Sequence, residues 1–170
     1  MQLAATQDKL CAAGVETLAV MSTPIERARL YFKYRPMRMP LLADPDVLAH
    51  RAFGLPRFDV SDGEEATSNW PLRTTKAELL TIRINPTGEL PEPLPPIEAA
   101  AALNEKDGFE LTEVDRRMWR AHRTQFAGHF LIDEEGVIRW THVEARERLA
   151  DLAKFPGEEE ILAAARALVR

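Results

Sequence analysis

A single cysteine, Cys11, is the only thiol in these 170 residues. That excludes an intramolecular disulfide, a Cys-x-x-Cys pair and a cysteine-rich zinc site. Long apolar runs are missing too. No stretch approaches the roughly 20 residues needed to cross a bilayer, and the N-terminus has no basic region leading into an apolar one. The expectation is a cytoplasmic protein with no membrane partner. Positive charge is in deficit, with 22 Lys and Arg against 27 Asp and Glu, so a net charge of −5 gives no general attraction to nucleic acid. G-x-S-x-G, P-loop and G-x-G-x-x-G motifs are absent, which removes the commonest hydrolase and nucleotide-binding chemistries. The four histidines, His50, His122, His129 and His142, show no metal-ligand spacing, and no metal or cofactor is expected.

What is present reads as one soluble α/β domain over 1–170, with 45% apolar and 29% charged residues. Leu3, Gln7, Leu10 and Gly14 have helical spacing with a glycine stop, and Val15 to Met21 reads as a buried strand. Thr23, Pro24 and Glu26 start a second helix whose inward stripe is Ile25, Ala28 and Phe32. A short strand at Leu41 to Ala43 leads through Asp44-Pro45 into a helix stopped by Gly54. The proline-rich stretch 55–125 reads as an insertion outside a core of 1–54 and 126–170. Within it Leu80, Ile82 and Ile84 alternate like an edge strand, ended by a turn at Asn85 to Gly88. Helices are expected from Ile97 to Leu103 and from Thr112, the latter with Val114, Met118 and Ala121 on one face. Asp133-Glu134-Glu135-Gly136 closes a hairpin. With Asp133 opposite Val137, Phe130 and Ile132 share a face with Ile138 and Trp140, while His129 and His142 point to opposite faces. Ile161, Leu162, Ala165, Leu168 and Val169 form the apolar stripe of a final helix.

This order is that of a thioredoxin fold with its first strand removed. "AAGVETLAV", "MPLLADPDVLAHRAFGL", "RINPTGELPEPLP", "GHFLIDEEGVIRW" and "FPGEEEILAAARAL" resemble the peroxiredoxin-like branch of the AhpC/TSA (alkyl hydroperoxide reductase and thiol-specific antioxidant) family. The resemblance implies an α/β, thioredoxin-like three-layer sandwich, N-terminally truncated. The family's first strand and its reactive-cysteine loop would lie upstream of Met1. Two strand edges would then lack a partner, at a cost on the order of a kcal/mol per buried unpaired group. Direct pairing of the strand at Val15 to Met21 with the hairpin strand, or a homodimer through the incomplete sheet, would restore it.

Cys11 is the one catalytic candidate. It falls near the end of the first helix, where the macrodipole opposes a thiolate, and lacks the proline and threonine context of a peroxiredoxin cysteine, so it reads as a structural thiol. Typical peroxiredoxins place an arginine just before the residue opening the hairpin strand; here Ala127 precedes Gly128. The resemblance implies a thiol antioxidant or oxidoreductase served by a thiol reductant protein, with this chain inactive or weakly active. The alternative is a non-catalytic thioredoxin-fold module for binding or dimerisation. Arg27, Arg29, Lys33, Arg35 and Arg38, interleaved with Tyr31, Phe32 and Tyr34, read as an amphipathic helix with charges in water and aromatics inward. Arg116, Arg117, Arg120 and Arg123 read as a solvated face balanced by Glu113 and Asp115.

Overall fold

The computed structural model describes residues 2–34, 36, 38–55, 57–58 and 74–168. Helix α1, Gln2–Ala12, ends at Gly14, which takes φ +79°. The Gly14 N–H donates to the Cys11 carbonyl and the Val15 N–H to the Leu10 carbonyl, both at 2.9 Å, which satisfies the last-turn acceptors and folds Val15 back onto Leu10. Strand β1 is Ala19–Met21, shorter than the apolar run suggests. Helix α2, Ile25–Tyr34, buries Ala28 completely. Strand β2, Leu41–Ala43, runs parallel to β1. The Asp44 carboxylate then accepts from the Leu48 and Ala49 N–H groups at 2.8 and 2.9 Å and so caps helix α3, Leu48–Ala52.

Arg57–Phe58 (β3) pairs antiparallel with Thr124–Gln125 (β4), joining the two ends of the long excursion. Between them Lys76–Thr81 is helix α4, capped by the Thr75 hydroxyl. The expected strand through Leu80, Ile82 and Ile84 is therefore corrected: only Ile84 makes a bridge, to Leu94. The Thr75 cap with Glu78 at the third helical position outweighs the alternation that follows. The Asn85 to Gly88 turn forms as expected, with the Gly88 N–H on the Asn85 carbonyl. Helix α5, Pro96–Asp107, and helix α6, Glu113–His122, follow, α6 with Thr112 and Asp115 as a capping box. On α6 Val114 and Met118 are half-buried, while Ala121 faces solvent.

Gly128–Ile132 (β5) and Ile138–Val143 (β6) form the hairpin, and after a short 3₁₀ turn at Leu149–Asp151 the chain ends in α7, Glu158–Leu168. Asp133 and Val137 do face each other, the Asp133 N–H donating at 3.0 Å. The strand faces nonetheless differ from expectation. Ile132 opposes Ile138 but Leu131 opposes Trp140, so Arg139 is an extra residue on β6 and everything beyond it turns over. Trp140 consequently shares a face with Leu131, not Phe130. That face meets Leu10 of α1 and Ile161, Leu162 and Ala165 of α7 in one core. Gly128 lies against Leu55 so closely that an ideal Cβ would come within 2.5 Å of Leu55 Cδ2. Phe53 stacks on Phe130 at 4.7 Å between ring centroids.

Direct pairing of β1 with β5 is not seen. Among the described residues each strand has one partner, giving three two-stranded sheets. In β1 the Ala19 N–H and the Met21 carbonyl bond to the β2 side, so Val20 presents its backbone groups to the other edge. The strand is only half-buried and the preceding Leu18 is 58% exposed, so water reaches that edge. A second core joins Leu79 of α4 to Phe126, Ala145 and Leu149, so the 55–125 stretch is not merely laid on the outside. The fold is α/β and thioredoxin-like.

Candidate functional site

Cys11 is exposed in the last turn of α1, and its carbonyl is occupied by the Gly14 N–H. Ala12, Ala13, Gly14 and Arg166 line an open hollow beside it. Helix C-termini carry the negative end of the macrodipole, the opposite of what steadies a thiolate. With no second cysteine in the chain, oxidised Cys11 has no intramolecular thiol with which to form a disulfide.

The residue before the hairpin strand is the second place to look. Ala127 occupies it, and its N–H donates to Glu144 Oε2 at 3.0 Å, while the Ala127 carbonyl accepts from the Glu144 N–H at 2.9 Å. The other Glu144 oxygen accepts from the Ala153 N–H at 2.7 Å. This carboxylate stitches the open end of the hairpin to the segment before α7. The position where the family resemblance puts an arginine therefore carries no cation, and its backbone N–H is held by an anionic side chain. Nothing in the sequence singled out Glu144, because its role depends on Ala153 folding back through two alanines at positive φ, Ala145 and Ala153.

The same end of the hairpin holds the histidines. His129 and His142 are cross-strand partners on one face, with ring centroids 5.9 Å apart, contrary to the expectation of opposite faces. The extra Arg139 is the cause. The edge of Phe155 meets the His129 ring at 5.8 Å, and His129 Nδ1 is out of water with no hydrogen-bond partner. Burial, and secondarily the neighbouring His142, push the His129 imidazole down to about 4 from 6.5. The folded state thus prefers neutral His129, whereas the unfolded chain takes up the proton at the ordinary value. Stability is full above 6.5 and falls as pH drops towards 4, by roughly 3 kcal/mol in total. Urea midpoints measured across that window should fall in wild type and stay nearly level in His129→Phe.

Among the described residues no three His, Cys, Asp or Glu side chains gather as a metal would require. The basic cluster on α2 is not simply solvated. Arg27 bonds Asp115 through Nε and Nη2, at 3.0 and 2.6 Å, and stacks over Phe109 at 4.7 Å. Tyr31 and Phe32 are half-buried as expected, Tyr34 is exposed, and Arg35 lies outside the described residues, as does Val169. On α6, Arg120 pairs with Glu113 and Arg123 lies over Trp119. No helix among the described residues is long and apolar enough to cross a membrane.

No curated protein and no solved structure matches the chain. The family model described as AhpC/TSA antioxidant enzyme matches residues 2–146, from α1 through both strands of the hairpin. With that span and a thioredoxin-like α/β fold behind it, the chain belongs to the AhpC/TSA antioxidant family, the peroxiredoxin-like thiol antioxidants.

Proposed function

We propose that this chain carries the AhpC/TSA scaffold without a working peroxidatic site of its own, so that it turns over hydroperoxide weakly or not at all. One observation carries the reading: the sole thiol, Cys11, sits exposed at the C-terminal end of α1. Reduction of a hydroperoxide by a thiol requires a thiolate to attack the peroxide oxygen, forming a sulfenic acid and releasing the alcohol or water; a second thiol then resolves it. Cys11 has neither a helix N-terminus beneath it nor a resolving partner in the chain. A thiol reductant protein is the partner an active form would need. A cytoplasmic setting, where thiols stay reduced, suits a chain with one cysteine.

A second reading rests on the open edges of β1 and β5. Val20, like Gly128 and Phe130 on the side of β5 away from β6, presents backbone groups that a strand from a second copy would pair with, making the chain a binding or dimerisation module.

Peroxide consumption coupled to thioredoxin or dithiothreitol separates the readings. The expected rate is no greater than that of the reductant alone and unchanged in Cys11→Ser. Fast turnover lost on Cys11→Ser would overturn the proposal. A monomer by light scattering would remove the dimer reading.

A further inference from the structure

We propose that the segment from Leu149 to Phe155 is an acid-released strap, its far end closed over the open end of the hairpin only while His129 is uncharged. Leu149 and Leu152 root its start in the second core, and beyond them its attachments are few and converge on the histidines. The Ala153 N–H donates to Glu144 Oε1 at 2.7 Å, His142 Nε2 lies 3.3 Å from the Lys154 carbonyl, and Phe155 sits edge-on to His129. Ala153 is held at φ +60°, in the left-handed region, a conformation that an alanine leaves readily once its bonds are broken.

His129 is the weak point. A proton arriving on its Nδ1 finds no acceptor, because that atom is buried without a partner, and a second imidazole stands across the ladder. A buried cation with an unsatisfied N–H is costly, and lifting Phe155 is the shortest way to bring water to it. Several neighbouring charges already have partners of their own. On the strap Asp151 lies between Arg148 and Lys154, and both Glu144 oxygens accept backbone N–H groups. On the covering helices Lys9 of α1 pairs with Glu158 of α7, and β5 carries no titratable side chain besides His129. Opening would uncover the His129 ring beneath Phe155.

Amide hydrogen exchange, corrected for intrinsic rates, reads the strap directly. Protection at the Ala153 and Lys154 amides is expected to fall by about tenfold or more from about pH 7 to about pH 4.5 in wild type and to stay level in His129→Phe, which keeps a ring against Phe155. Equal loss in His129→Phe would detach the release from His129 and overturn the proposal. Should that variant fail to fold, NMR titration of the wild-type imidazoles decides. Opening must track the His129 ring, and a His129 that titrates at its ordinary value with no change at those amides refutes the strap.

Discussion

Phe126→Ala is expected to lower the unfolding free energy by about 3 to 5 kcal/mol, read as a fall in the urea midpoint with the slope unchanged. Phe126 is 2% exposed and is, among the described residues, the largest side chain so completely enclosed. It packs with Leu79 of α4, with Ala145, and with Leu149 of the strap, and half-buried Ile82 and Leu152 close the cluster. Contributions from both the 55–125 stretch and the hairpin end leave no single element free to collapse into the space. A cavity of that kind keeps both its transfer and its void penalty. A loss below about 1 kcal/mol would mean that the second core is not the joint described here.

Arg27→Met is expected to cost about 2 to 3 kcal/mol and to make the region of α5 and α6 markedly easier for a protease to cut. The guanidinium makes two bonds to Asp115, a third at 2.8 Å to the Glu110 carbonyl, and stacks on Phe109, while Tyr31 meets Phe109 at 5.6 Å. This is the hinge point between α2 and α6. Asp115 Oδ2 would keep the Thr112 N–H and hydroxyl, both donating at 2.7 Å, while Oδ1 would lose its bond from Arg27 Nε. Burial raises the Asp115 carboxyl, but the Arg27 and Thr112 bonds outweigh it and hold the group below its ordinary 3.8. Its stabilisation is therefore present above 3.8 and lost only as pH falls further, below the window in which His129 acts. Two acid transitions with different owners follow, one lost in His129→Phe and the other weakened in Arg27→Met.

Elements whose signals are local were legible in the sequence. Gly14 and Gly54 do stop α1 and α3, Asp44 caps the start of α3, and Asp133 to Gly136 closes the hairpin. Ile161, Leu162 and Ala165 are the buried stripe of α7. What sequence reasoning missed depends on residues that meet only through a change of register or a long return of the chain. One extra residue, Arg139, reversed the faces of the hairpin and brought His129 and His142 together; no composition or period marks such a bulge in advance. Glu144 gained its role from an amide nine positions later. Arg27 looked like one charge of a solvated row because Asp115, its partner, is 88 positions away. Leu80 to Ile84 alternated well enough for a strand, and a cap four residues upstream of Leu79 decided for helix. Cys11 was placed correctly at the end of α1.

On the function proposed above, this AhpC/TSA scaffold leaves the one thiol in its sequence unactivated. The direct measurement is the second-order rate at which hydrogen peroxide oxidises Cys11 in the reduced protein, followed by mass spectrometry of the sulfenic acid trapped with a dimedone-type reagent. The account predicts a rate matching that of an unactivated thiol such as free cysteine under the same conditions. A rate several orders of magnitude faster, with the adduct confined to Cys11, would contradict it.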